Sequence, residues 1–393
     1  MTSPWVVGET SMRHAPFEGI GATQVAVLRY LRRRGSASRV EIAELCGVTA
    51  AAISMMTRDL LERGVILEGE RRQAGRGAPH INLKLNPSVG YALGVHCNRF
   101  SVALTLLDFC GDVLGELRCP GRYDTFEDVR EEIIEGKAKL LQQADLEDEV
   151  LVGAGIAMPT RFRQGASFLD LAQEVVSWSG PDLAASLQKG LGCAVRIEND
   201  ANAAVMGELT LGNAADHENF VYLYLSEGIG GGIIIGKQLY RGNFGNAGEI
   251  GALRARGLTR PSFEDLAEFC AGHSGNVPSD RSPDAWNTYL NSNQELVDTW
   301  INRAGPETAR LGFSLSAVLA PEAIYVGGSL PRMIREQLCP WLDFSVSDPF
   351  EGAKVLQPAI LLPEVSAADT VAFGAAAMIL HDLPAIANMR SQS

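Results

Sequence analysis

Apolar positions recur with a helical period at the start of the chain and with a strand period further on, and the change divides the chain in two. From Thr23 to Arg34, Val27, Leu28 and Leu31 share one helical face, and Gly35 closes the segment like a C-terminal cap. Ser38 is placed to cap a short second helix carrying Val40, Ile42, Ala43 and Leu45, which ends at the turn Cys46-Gly47-Val48. Thr49 then caps a third helix, Ala50 to Arg63, whose buried face is predicted to be Ile53, Met56, Leu60 and Leu61; Gly64 stops it. Val65 to Glu68 and Ile81 to Leu85 alternate as strands on either side of an arginine-rich tip.

Two helices joined through a glycine turn, behind a leading helix and ahead of a hairpin, form the winged helix-turn-helix pattern. Its third helix lies in the major groove of double-stranded DNA. Thr49, Ala51, Ala52, Ser54 and Arg58 are expected to face the bases. Arg71, Arg72, Arg76 and Gly77 make up a wing suited to the narrow, electronegative minor groove. The competing reading is a small three-helix bundle with solvated arginines, and Arg32-Arg33-Arg34 by itself is read as such a solvated face. The short turn, the hairpin and the local positive charge occur together, which favours DNA.

Beyond Asn86-Pro87 apolar strands alternate with helices, the mark of α/β architecture. Strands are predicted at Tyr91 to Val95, Ser101 to Leu107 and Leu151 to Ala157, and helices at Phe126 to Gln143 and Asp182 to Leu191. The stretch Val195 to Ala204 runs from a strand through Glu198-Asn199-Asp200 into an alanine-rich helix, placing an acid where a helix N-terminus favours negative charge. A second round follows: strand Val221 to Leu225, a turn over Ser226 to Gly232, strand Ile233 to Ile235, helices, and strand Ala323 to Val326 before Gly327-Gly328.

A chain of 393 residues with 46% hydrophobic and 21% charged positions is too long for a single binding module and too apolar for large-scale disorder. No apolar run reaches the roughly 18 to 20 residues that span a bilayer, and no secretory leader pattern opens the sequence, so a cytoplasmic location is expected. The seven cysteines are scattered and form no Cys-x-Cys or Cys-x-x-Cys pair, as expected of buried thiols in a reducing compartment. Net charge is -13, yet residues 1–87 hold 12 basic against 8 acidic side chains. A basic head on an acidic body fits a protein of which only the head meets a polyanion.

Ile197 to Glu208, Glu227 to Leu239 and Tyr240 to Gly251, the last containing Gly248-Glu249-Ile250-Gly251, closely resemble the ROK family of sugar kinases and sugar-responsive repressors. The resemblance implies a two-lobed, actin-like α/β body behind the winged helix. The expected limits are a DNA-binding domain at 1–87, a first lobe at 88–200 completed by 371–393, and a second lobe at 201–370, with a sugar effector in the cleft between lobes. It also places the last helix, Val371 to Leu380, on the first lobe and suggests a homodimer or homotetramer.

The departures from the family's kinases are as informative. Their first strand runs into an Asp-x-Gly-Gly-Thr phosphate turn, where this chain has His96-Cys97-Asn98-Arg99-Phe100. Gly228, Gly230, Gly231 and Gly232 of the second phosphate loop remain, but Glu227 stands where a hydroxyl residue is usual and would repel a polyphosphate. The family's zinc element, a histidine followed by a Cys-x-Cys-Gly-x-x-Gly-Cys segment, is replaced by Gly251 to Ser262, without a ligand; Cys270 and His273 are expected to pack on a helix end. Neither ATP nor zinc is therefore expected, and no catalytic residue. By resemblance, Asn199, Asp200, Glu249 and Glu264 match residues that hydrogen-bond sugar hydroxyls, with Ala252 in place of the usual histidine. The alternative is that Asp200 simply caps the following helix and Glu249 forms a core ion pair. The expected protein is a sugar-responsive repressor; the rivals are a sugar kinase with a DNA-binding domain and a regulator controlled by a protein partner.

Overall fold

The computed structural model describes residues 6–7, 16–72, 80–98, 100–147, 151–162, 169–171, 178, 183–254, 257–275, 277–279, 283–346, 349–350, 352–365 and 367–389. A short strand β1 (Val6–Val7) precedes the head, which consists of α1 (Ala22–Arg34), α2 (Arg39–Cys46), α3 (Ala50–Glu62) and the antiparallel hairpin β2 (Ile66–Arg72) and β3 (His80–Leu85). Ser38 and Glu41 close a capping box on α2, and Gly47 in the left-handed region (φ 63°) ends it. The Thr49 hydroxyl accepts from the Ala52 N–H to start α3, and the chain bends by 114° between α2 and α3, within the helix-turn-helix range. Phe17, Val27, Leu28, Leu31, Ile42, Ile53, Leu60 and Leu83 fill the head's core. Val40 and Leu45 of α2 are about half exposed, because the eight-residue helix buries only Ile42.

Contact density divides the chain into two compact units, residues 1–211 with 366–393, and residues 212–365. The division falls after Leu211 rather than after Asp200, because the helix that Asp200 opens packs with the first unit. In that unit β4 (Tyr91–Asn98), β5 (Ser101–Leu107) and β6 (Val113–Pro120) are followed by α4 (Phe126–Gln143), β7 (Leu151–Met158), the small pair β8 (Thr160–Phe162) and β9 (Leu169–Leu171), α5 (Leu183–Leu191), β10 (Val195–Asn199) and α6 (Asp200–Thr210). Among the described residues β1, β10, β7, β4, β5 and β6 form one sheet in that order, parallel at β10–β7–β4 and antiparallel elsewhere.

The second unit holds β11 (Phe220–Leu225), β12 (Ile229–Ile235), β13 (Gln238–Leu239), α7 (Phe263–Ser274), α8 (Pro283–Asn291), α9 (Gln294–Leu319), β14 (Ala323–Gly327), α10 (Arg332–Leu338) and β15 (Ala359–Leu361). Its strands order as β13-β12-β11-β14-β15 over a core that includes Leu223, Phe263, Trp286, Trp300 and Val326. Gly230, Gly231 and Gly232, expected in a turn, are strand residues of β12 paired with Tyr224, Leu223 and Tyr222. Only Ser226 to Gly228 turn.

The last helix, α11 (Thr370–Met389), is longer than the expected Val371 to Leu380 and returns to the first unit. Strand alternation sends Leu93, Val95, Ala154 and Ile156 into the core beneath α4 and α5. The intervening Gly94 and Gly155 meet α11: a β-carbon on either would lie 1.9 or 2.1 Å from the carbonyl oxygen of Ala372 or Ala375. Gly374 of α11 approaches α6 as closely, with 2.0 Å to the Ala203 carbonyl oxygen.

The head is tied to the body within the same unit. The Arg32 guanidinium donates to the Phe109 carbonyl (3.0 and 3.3 Å) and lies 5.0 Å over the Phe109 ring, which also meets Phe17. Of the arginine run, Arg33 and Arg34 are exposed, while the half-buried Arg32 is an anchor rather than part of a solvated face. All seven cysteines are free thiols, with Cys97, Cys193 and Cys270 buried.

Gly374→Ala should destabilise the protein by about 1 to 3 kcal/mol, the usual range for overpacking, because a methyl group there meets backbone that cannot rotate away. Urea unfolding checks this, and the exposed Gly272→Ala, with open space around its β-carbon, should show no such loss.

Candidate functional site

Two sets of residues carry candidate chemistry. In the head, α3 turns Ala51, Ser54, Met55 and Arg58 to solvent, while Ile53, Thr57 and Leu60 are buried. Thr49 is exposed at the cap and Ala52 is half-buried. Met55, 69% exposed, belongs to the same face as the expected DNA contacts and was missed because its apolar character reads as core in a helical pattern. Arg39 is held by the Thr57 hydroxyl and Glu68, and Arg63 by Asp59, so neither matches the open position of Arg58. Arg71 and Arg72 occupy β2 opposite Ile81 and His80; Arg76 and Gly77 lie outside the described residues.

In the body, the corner between β10 and α6 is built by Asn199, whose side-chain oxygen accepts from the Ala201 N–H (2.9 Å) and whose amide donates to the Thr160 carbonyl (3.0 Å). Asn199, expected to offer a donor to a sugar, is thus the helix cap. Asp200 is the first helical residue, which removes the alternative that Asp200 does the capping. Glu198, fully buried, accepts from the Asn199 N–H and from the Asn202 amide and stiffens the corner from below.

Asp200 faces His96. On β4, Ala92, Gly94 and His96 point to the α11 side of the sheet, so the strand period delivers His96 to the start of that helix. Its Nδ1 lies 2.9 and 3.1 Å from the Asp369 carboxylate oxygens, and its Nε2 is 4.0 Å from Asp200 Oδ2. Asp369 Oδ1 also accepts from the Val371 and Ala372 N–H groups, capping α11. Burial disfavours the charged imidazole, but Asp369 by charge and hydrogen bond, and then Asp200, outweigh it and push the His96 pKa up to about 9. Burial likewise opposes ionisation of Asp369, and His96 with the backbone N–H of Ala372 holds its carboxyl below the ordinary range. The Cys97 thiol is pushed well up by burial and by the two carboxylates, so it stays protonated.

The other two expected sugar ligands belong to the second unit. Glu249 precedes a short 3-10 helix, Ile250–Leu253, and is exposed, so the alternative of a core ion pair does not hold. The loop carrying it is set by Gly248 (φ 98°), whose β-carbon position is 1.9 Å from the Gly231 carbonyl oxygen. Glu264 is exposed in the first turn of α7, which Ser262 caps, and pairs with Arg260 at 3.4 Å. Its neighbour Asp265 is structural, accepting from the Trp300 indole at 2.8 Å. Ala252 is exposed.

The residues present do not fit the family's metal or its nucleotide. Gly251 to Ser262 offers no thiolate or imidazole, Cys270 is buried in α7, and the His273 Nδ1–H donates to the Phe269 carbonyl at 2.7 Å. Among the described residues no cluster of three His, Cys, Asp or Glu could hold a metal. At the β4–β5 turn the Asn98 side chain accepts from the Phe100 and Ser101 N–H groups, occupying backbone donors that a phosphate turn directs outward.

The profile of the ROK family matches residues 93–382, and a profile of winged helix-turn-helix DNA-binding domains matches residues 22–66. The chain belongs to the ROK family. It is 28% identical over 233 residues to the xylose repressor of Bacillus subtilis (strain 168), covering 58% of this chain and 59% of that protein. The fold matches a ROK family transcriptional regulator, a homologue of the E. coli MLC protein, over 93% of this chain and 98% of that one (TM-score 0.67, 19% identity). It also matches a ROK family glucokinase from Streptomyces griseus in complex with glucose and AMPPNP, over 74% of this chain and 99% of the kinase (TM-score 0.61, 21% identity).

Arg58→Ala should weaken binding to a duplex selected from a random library by the wild-type protein and flatten the dependence of log affinity on log salt, by a slope of about 1 if Arg58 meets a phosphate. A base contact would instead relax sequence preference at one position. Fluorescence anisotropy across a salt series reads both.

Proposed function

We propose that this protein is a sugar-responsive transcriptional repressor without kinase activity. The observation that carries the reading is the combination, in one chain, of an α3 face open to solvent and a ROK body whose first phosphate-turn position holds His96 bound to Asp369. The head supplies DNA binding: Arg58 and the alanine-rich face of α3 enter the major groove and the β2–β3 wing reaches the minor groove. The body supplies the response: in the first unit Asp200 accepts hydrogen bonds from the hydroxyls of a neutral sugar, a carboxylate being suited to a vicinal hydroxyl pair.

Asn199 acts by fixing the corner rather than by touching the sugar. No step of phosphoryl transfer is assigned, since Glu227 disfavours a polyphosphate and the Asn98 turn consumes phosphate-binding donors. Zinc is not required, for the donor set of its element is absent. A cytoplasmic, homo-oligomeric protein completes the reading; among the described residues no single helix is long and apolar enough to cross a membrane.

The test is calorimetric titration with D-xylose and a panel of hexoses, N-acetylhexosamines and disaccharides, with and without the selected duplex. A sugar should bind, and the factor by which it alters duplex affinity should equal the factor by which duplex alters sugar affinity. Asp200→Ala should weaken the best sugar roughly ten-fold or more, as loss of charged hydrogen bonds worth about 1.5 to 3 kcal/mol each requires, while leaving duplex binding without sugar unchanged. Sugar phosphate formed from ATP and abolished by Asp200→Asn would instead establish the kinase, and stoichiometric zinc by elemental analysis would overturn the metal-free reading.

A further inference from the structure

We infer that His96 is a positioning residue of the small-molecule site: an imidazolium clamped by Asp369 that fixes the charge and the orientation of Asp200. The inference rests on the proposed function, in which Asp200 accepts hydroxyl hydrogen bonds. His96 does not touch the sugar; it acts through the carboxylate beside it.

The geometry is that of a clamp. Asp369 grips Nδ1 with both oxygens while its Oδ1 is itself held by two backbone N–H groups of α11, so the imidazole cannot swing about. The ring is thereby aimed with Nε2 toward Asp200, 4.0 Å away, a distance for charge attraction rather than a hydrogen bond. His96, Asp200 and Asp369 side chains are 10%, 15% and 14% exposed, so the attraction is weakly screened. The charged groups that face His96 are Asp369 ahead of α11, Asp200 on α6 and, with opposing sign, Arg118 on β6. The residues paired with it across the sheet, Ala103 and Ala157, carry no charge.

The chemical need for a cation here is plain. Without one, Asp200 and Asp369 are two carboxylates near one buried point, and such a pair relieves itself by taking up a proton. A protonated Asp200 has one acceptor oxygen fewer and offers a hydroxyl in its place. A charged His96 holds the Asp369 carboxyl below its ordinary range and, 4.0 Å away, attracts the Asp200 carboxylate, which favours its acceptor form toward a pair of sugar hydroxyls.

The sign of the pH dependence follows. The imidazole is raised above its ordinary value of about 6.5 to about 9, so the clamp's contribution is complete below about 6.5 and lost as pH rises through about 9. Sugar affinity should therefore be steady through neutral pH and fall above it.

The experiment uses the full chain labelled with carbon-13 at histidine Cε1, in which the resonance lost in His96→Gln identifies His96 among six histidines. The expected result is an imidazolium through pH 8 with a midpoint near 9, lowered by Asp369→Asn and also by Asp200→Asn. A wild-type midpoint near 6.5, or one indifferent to Asp200→Asn, overturns the clamp. The second arm titrates wild type, His96→Gln and His96→Lys with the tightest sugar of the panel from pH 6 to 10. His96→Gln should bind roughly ten-fold more weakly at pH 7, with the decline above pH 8 abolished, and His96→Lys, which restores a cation, should recover part of the affinity. Circular dichroism confirms that each variant is folded. Wild-type affinity in His96→Gln, together with a wild-type imidazole midpoint near 9, would leave the ion pair standing and overturn its positioning role. If no sugar binds the wild type, the proposed function fails and the positioning role fails with it, whatever the imidazole titration shows.

Discussion

Everything in the first unit is registered by how closely α11 lies on the backbone beneath it. Gly94 on β4 and Gly155 on β7 remove the side chains that would hold a helix off the sheet, and Gly374 lets α6 come up against α11. A helix seated on carbonyl oxygens at these distances has few alternative positions, because neither partner can yield by changing rotamer. The N-terminus of α11 therefore arrives beside the end of β4, and Asp369 meets His96. The same contact fixes the axis of α6 and with it the place of Asp200. Glycines on three elements thus determine where three charged groups converge.

That convergence gives a different meaning to the sequence His96 to Phe100. A phosphate turn needs an acid and glycines whose N–H groups point outward; this chain has an imidazole turned inward to a capping carboxylate and an asparagine that gathers the N–H groups back into the turn. The turn has been rebuilt around an inward-facing cation. Its electrostatics favour the ionised form of the Asp369 carboxyl.

Much of this was legible in the residues. The caps Ser38 and Thr49, the glycine turn at Gly47 and the periodicity of α1 to α3 give the head almost to the residue, and Phe126 to Gln143 emerges as α4 without change. The legible signals are local, a cap or a period contained in one segment. What was not legible depends on contacts distant in sequence: His96 and Asp369 are 273 positions apart, and neither flank suggests the other. Arg32 looked like one of three solvated arginines because the carbonyl that it meets belongs to a turn 77 residues later. Gly230 to Gly232 were read as a turn because glycine usually marks one, whereas they are strand residues of β12 and Gly231 lets the Gly248 loop pack on the strand. Asn199 and Asp200 lie at the strand-to-helix junction that the pattern predicts, but which of them caps α6 is decided by one residue of phase.

The proposed response requires that a change at Asp200 reach the head, and the first unit contains a packed route along which it can travel. Asp200 opens α6, a rod of eleven residues and therefore about 16 Å long. Leu211, the residue that ends it, lies over Gly111, where any side chain would collide with it. Gly111 belongs to the β5–β6 turn, held by Asp108, and the same turn presents the Phe109 carbonyl and ring to Arg32 of α1. Helices transmit displacement along their axes better than loops do, since their hydrogen bonds resist compression while packed cores resist deformation. A shift of α6 that accompanies sugar binding would press on the turn that anchors α1, and α1 carries the core on which α3 is seated. The capping corner of Asn199 and the anchor of Arg32 thus stand at the two ends of this packed route, and both lie in the unit that also contains the DNA-binding helix.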